Sequence, residues 1–273
     1  SVSESADRTG SSGSSMGRRW AAPGKTVVPA ALAASAPLDS RDLAGPPPRP
    51  TPVDGLASAM PLRHPHPPSP MKLAGTASNR GRNLMNIADR APGGVEFAVV
   101  LTNDADAPVL ETAADRDIPT ESVPRDPDEG RREHERRVLD ALADYEFDLV
   151  CLDGYMRILS DTFLDETPTT LNVHPALLPS FPGMDAWGDA LDADVSVTGC
   201  TVHVVTDATD AEGNVVEAAI DAGPIVTQEP VPVYEGDDAD DLKDRVLYEA
   251  EFRAYPRAVK WFAEDRVAVD YDA

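Results

Sequence analysis

Cysteine is nearly absent from this chain: its 273 residues include only Cys151 and Cys200. Both stand in apolar, strand-like runs, so they read as small buried hydrophobes and exclude a disulfide framework. No apolar run reaches the length of a transmembrane helix, which argues against a membrane role and for a soluble, cytoplasmic protein. No His/Cys spacing resembles a metal site, so no metal is expected. A Ser-His-Asp elbow and a cysteine nucleophile motif are also missing. Positive charge is scarce in one region only. Residues 1–70 hold seven Lys+Arg against five Asp+Glu, which leaves 17 basic and 43 acidic residues, a net of −26, in 71–273. Lysine occurs there only at Lys72, Lys243 and Lys260. A body so acidic is unsuited to non-specific nucleic-acid binding, which needs a basic surface. Its self-repulsion is screened by salt, so the composition points to a salt-rich cytoplasm, with an ordinary acidic mesophilic enzyme as the alternative.

Residues 1–70 hold 13 of the 26 prolines and one aromatic, Trp20. Such a segment lacks the means to build a core and is expected to be a disordered leader. Arg18-Arg19 ahead of the apolar 27–37 stretch resembles a twin-arginine export signal, but Pro29 interrupts that stretch. From Met71 onward short apolar runs alternate with amphipathic stretches. Strands are expected at 72–77, 95–102, 148–153, 169–174, 197–206 and 224–233, and helices at 82–90, 107–116, 131–145 and 238–263. This alternation predicts one α/β domain over 71–273. Its sheet should be mostly parallel, twisted and flanked by helices, Rossmann-like, with an antiparallel C-terminal portion.

Three places carry chemistry. The run GTASNRGRNL (75–84) passes from a strand into a helix, and no acidic residue occurs between Met71 and Ala88, where Lys72, Arg80 and Arg82 stand. A glycine turn at a helix N-terminus presents backbone N–H groups to an anion, so a phosphate fits there. The alternative is a plain turn with solvated arginines. In LNVHPALLPSFPG (171–183) the strand ends at His174, and Asn172 and His174 leave the same face. An amide N–H and an imidazole can hold a developing oxyanion and move a proton, although a lone strand-end histidine is more often structural. In AIDAGPIV (219–226), Asp221 could orient and charge a nearby imidazole, or be an ordinary turn aspartate. His134 and His203, on a charged helix and within a strand, point to no role.

Taken together, SNRGRNL, DGYMRILS, LNVHPALLPSFPG, TGCTVHVV, DAGPIV and AYPRAVKWFAEDR resemble, in this order over about 71–267, the folate-dependent phosphoribosylglycinamide formyltransferases. The resemblance implies transfer of the formyl group of 10-formyltetrahydrofolate to glycinamide ribonucleotide by a monomer or homodimer. Asn172, His174 and Asp221 match the catalytic trio. Gly81, Arg82, Asn83, Pro175 and Glu251 would hold the ribonucleotide, and Arg131, Met156, Arg157, Ile158, Leu159 and Asn172 the folate. Arg82 stands where the family often has Ser. The loop 207–219 is longer than the family's by roughly a dozen residues, which makes Asp207 and Asp210 rivals of Asp221. Competing readings are a 10-formyltetrahydrofolate hydrolase, which would have no use for a ribonucleotide site, and a non-catalytic Rossmann-like ligand-binding module.

Overall fold

The computed structural model describes residues 26–29 and 69–270. Four residues of the expected leader, Thr26–Pro29 (β1), form a strand that pairs antiparallel with β9, Val267–Asp270. These four residues fall within the segment expected to be a leader. Arg18-Arg19 and the remainder of 1–68 lie outside the described residues.

From residue 72 the chain runs through β2 (Lys72–Thr76), α1 (Arg82–Arg90), β3 (Glu96–Thr102), α2 (Val109–Ala114), β4 (Thr120–Ser122) and α3 (Arg131–Leu142). It continues through β5 (Leu149–Leu152), α4 (Asp161–Leu164), β6 (Thr170–His174), α5 (Ala186–Asp192), β7 (Val197–Val204) and β8 (Ile225–Pro232). These strands form one sheet in the order β4-β3-β2-β5-β6-β7-β8. Pairing is parallel from β4 to β6, then antiparallel through β7 and β8. The expected α/β architecture is therefore the observed one. The sheet reverses its strand order between β2 and β5, and a crevice opens beyond the carboxyl ends of strands at such a point.

Alternation along the strands divides the core between two faces. Leu73, Leu149, Leu171 and Val202 pack with Leu84 and Tyr255 on one side; Ala74, Val99, Val150 and Leu152 pack with Val138 and Phe163 on the other. Cys151 and Cys200 are buried free thiols, and burial pushes Cys151 up to about 12 and Cys200 higher still. Neither supplies a thiolate nucleophile.

The single helix expected at 238–263 is three pieces: α6 (Ala239–Arg245), a π turn (Val246–Glu251) and α7 (Phe252–Ala263). Asp238 opens α6 with a reciprocal capping box to Asp241. Pro256 inside α7 cannot donate to the carbonyl four residues back. That carbonyl, of Phe252, accepts instead from Asn86 Nδ2 of α1 at 3.2 Å. Tyr255 is fully buried, its hydroxyl 3.0 Å from the carbonyls of both Leu152 and Leu171. These contacts seat the C-terminal helix on the ends of β5 and β6 and carry Glu251 toward the crevice. The short β4, α4 and α5 were not expected, since three to seven residues are too few to display a period.

Candidate active site

Two clefts meet where β6 ends. One, of about 680 Å³, is lined by Arg80, Arg82, Asn83, Asp153, Lys243 and Glu251 among others; a second, of about 450 Å³, runs along 155–159 to Asn172, His174 and Asp221. Gly154, Val173, Pro175 and Trp187 line both.

The first cleft is shaped by the turn between β2 and α1. Gly81 sits at φ +57°, and its N–H donates to Asn79 Oδ1 at 3.0 Å. A Cβ there would stand 2.4 Å from Val109 Cγ2, so only glycine permits this turn to close against α2. Gly81 thus shapes the cleft without lining it. Asn83 donates its backbone N–H to Asp153 Oδ2 at 2.7 Å, and its Nδ2 bridges Asp153 Oδ1 (3.1 Å) and Glu251 Oε2 (2.7 Å). Its Oδ1 is buried with no partner among the described residues. Burial raises Asp153 and pushes Glu251 up to about 7, with the Asn83 amide opposing both shifts. Arg82 Nη1 stands 3.4 Å from the Tyr248 hydroxyl and 3.8 Å from Asp244.

In the second cleft the predicted trio is brought together. His174 Nδ1 lies 3.2 Å from Asp221 Oδ2, and its Nε2 lies 2.7 Å from the Phe181 carbonyl. Both ring nitrogens face oxygen acceptors, an arrangement that only the imidazolium satisfies with two donors. Asp221 is a non-glycine residue at φ +53°, and its Oδ2 also accepts the Gly183 N–H at 2.9 Å. The rivals are engaged elsewhere. Asp207 accepts from the Thr209 backbone and hydroxyl, while Asp210 accepts from Glu212 and Asn214 within the long loop.

Sequence reasoning missed His203. Register places it opposite Asn172 on the antiparallel neighbour of β6. Its Nε2 lies 3.2 Å from Asn172 Nδ2 and 3.6 Å from Asp221 Oδ1, and its Nδ1 faces the Val204 carbonyl at 3.1 Å. Burial holds His203 below its ordinary value, with Asp221 opposing. The neutral ring with its proton on Nδ1 therefore donates to Val204 and accepts from Asn172, which sets the orientation of that amide. The signal available in the sequence was the alternation of His203 with Thr201 on a strand next to β6.

Met156, Arg157, Ile158 and Leu159 line the second cleft as expected, whereas Arg131 does not. Arg131 lies in an adjoining hollow with Arg125 and Arg157, where its Nη1 donates to the Gly213 carbonyl at the tip of the long loop, 3.1 Å away. Among the described residues no group of three or more His, Cys, Asp or Glu is placed to hold a metal ion.

Residues 71–259 match the family model described as formyl transferase. The chain belongs to the formyl transferase family. It is 39% identical over 188 residues to the phosphoribosylglycinamide formyltransferase of Mycobacterium tuberculosis, covering 68% of this chain and 82% of that protein. A trifunctional purine biosynthetic protein adenosine-3 from Gallus gallus is 37% identical over 73% of this chain, which spans only 19% of that longer protein. Among solved structures, glycinamide ribonucleotide transformylase 1 from Symbiobacterium toebii superposes with a TM-score of 0.66 at 38% identity, covering 74% of this chain and 92% of that one. No described helix is long and apolar enough to cross a membrane.

Proposed function

We propose that the chain transfers the formyl group of 10-formyltetrahydrofolate to the glycyl amine of glycinamide ribonucleotide. The observation that carries this reading is the meeting of the two clefts at Val173 and Pro175, beside the His174–Asp221 pair. The ribonucleotide occupies the first cleft, its phosphate toward Arg82 and its donors toward Glu251 and the unpartnered Asn83 Oδ1. The pterin occupies the second cleft along 156–159. The three arginines of the adjoining hollow suit the carboxylates of the folate's glutamate tail, which gives Arg131 a folate contact outside the second cleft.

In the reaction, the amine nitrogen bonds to the formyl carbon and the carbon–nitrogen bond to the folate breaks. The proton released by the amine passes to the departing folate nitrogen. Asn172 Nδ2, oriented by His203, donates to the tetrahedral oxyanion, while the His174 imidazolium, balanced by Asp221, supplies positive charge nearby. Direct donation by His174 Nε2 would require it to leave the Phe181 carbonyl. A cytoplasmic, salt-rich setting is part of this reading and rests on the charge of 71–273.

The test is a formyl-transfer assay in concentrated KCl with the full chain, His174→Ala and Asp221→Asn. Each variant should lose about two to four orders of magnitude in kcat. Undiminished transfer by His174→Ala would overturn the mechanism. Folate deformylation indifferent to glycinamide ribonucleotide would make the chain a hydrolase.

A further inference from the structure

The ribonucleotide cleft poses an electrostatic difficulty. A phosphate dianion must enter a domain of net charge −26, past Asp240, Asp244, Asp153 and Glu251, which all line the cleft. Arg82 is the one cation on the turn whose guanidinium is fixed by named contacts, and Asp244 already offsets part of its charge. A second cation lines the same cleft from another element. Lys243, one of only three lysines in 71–273, projects from α6 into the same cleft. Its Nζ lies 5.4 Å from the centre of the Trp187 ring, which also lines the cleft. No described carboxylate forms an ion pair with Lys243, although aspartates surround it in the sequence. An ammonium held by a π face keeps its charge available to an anion, where an ion pair would spend it. Tyr248 steadies the opposing arm: the Arg82 guanidinium carbon is 5.8 Å from its ring centre, and the hydroxyl stands 3.4 Å from Nη1.

We propose that Lys243, poised on Trp187, is a phosphate-binding arm that closes on the ribonucleotide from α6, opposite Arg82. This rests on the reading of the first cleft as the ribonucleotide site. Arg82 exchanges Asp244 for the phosphate, and Lys243 leaves the indole face to complete the clamp. Phosphate specificity is thereby shared between the turn before α1 and the helix pair α6 and π turn, which hold Glu251 as well.

Lys243 is exposed, so Lys243→Met should fold as wild type, which thermal melting confirms independently. Losing one charge-assisted contact should raise KM for glycinamide ribonucleotide about tenfold to a hundredfold. KM for the folate should not follow, and Lys243→Arg should restore most of the loss. Salt should raise KM less steeply in Lys243→Met than in wild type, because one screened attraction is gone. An unchanged ribonucleotide KM in Lys243→Met, or an equal rise in both KM values, overturns the proposal. If wild type transfers no formyl group at all, the proposed activity fails, and phosphate binding still decides the arm. Titration with inorganic phosphate should then bind wild type more tightly than Lys243→Met, and equal affinity refutes the proposal.

Discussion

Replacing His203 with phenylalanine tests whether the second histidine sets the Asn172 amide. The ring is retained at a position 2% exposed, so packing changes little, but the acceptor 3.2 Å from Asn172 Nδ2 is lost. An amide freed at one end can rotate and present its oxygen to the developing oxyanion. Removing one oxyanion donor outright costs about 3–4 kcal/mol, or 10²–10³ in kcat. A donor misplaced for part of the time should cost less, about tenfold to a hundredfold in kcat, with both KM values nearly unchanged. His203→Gln, whose Oε1 can still accept, should recover part of the loss. A pH titration supplies a second readout. Because His203 is held below its ordinary 6.5 in the fold, the unfolded chain takes up a proton first as pH falls. Stability should therefore drop as pH falls through about 6.5, and His203→Phe should flatten that part of the curve. Steady-state formyl transfer and urea unfolding across pH 5–8 are the measurements. A His203→Phe enzyme with wild-type kcat would refute the positioning role.

Gly81→Ala places a Cβ at φ +57° and 2.4 Å from Val109 Cγ2, so it should destabilise by about 1–3 kcal/mol, read as a lowered Tm. It should also raise KM for the ribonucleotide. Arg131→Met removes the bond to the Gly213 carbonyl, and the loop tip should then be nicked faster by added protease while KM for the folate rises. Glu251→Gln addresses a carboxyl lifted from 4.5 to about 7 by burial. Between those values the folded state holds the proton that the unfolded chain releases, so this group's stabilising contribution is lost as pH rises toward neutrality. The loss is about 3 kcal/mol, and Glu251→Gln should remove that slope in urea titrations while weakening ribonucleotide binding.

Strand and helix order was legible in the sequence because β2, β3, β5 and β6 are short apolar runs separated by amphipathic ones. What escaped was set by contacts distant in sequence. The π turn at Val246–Glu251 precedes Pro256, and the carbonyl freed by that proline is taken up by Asn86, 166 residues away. His203 read as a strand histidine because its partner, Asn172, is 31 residues distant and is brought opposite only by the β6–β7 register. Arg131 was assigned to the folate from resemblance alone, and the loop contact that restrains it has no local signature. Strand alternation and a Gly-Pro turn singled out Asn172, His174 and Asp221 as candidates, whereas their grouping as a trio came from the resemblance.

The same long-range logic explains how the 207–219 loop can precede Asp221 without displacing it. Asp221 is fixed from its far side: Gly183 donates to Oδ2 at 2.9 Å, and His174 lies 3.2 Å from the same oxygen. Gly223, two residues on, lies so close to the Val204 carbonyl that an added Cβ would stand only 1.8 Å from it, which ties the chain to β7 immediately after Asp221. The residues upstream close on themselves instead. Asp210 caps the turn through Glu212 and Asn214, and Thr209 bridges Val215. The strained φ of +53° at Asp221 is thus held by its partners, and the loop upstream is closed by its own contacts.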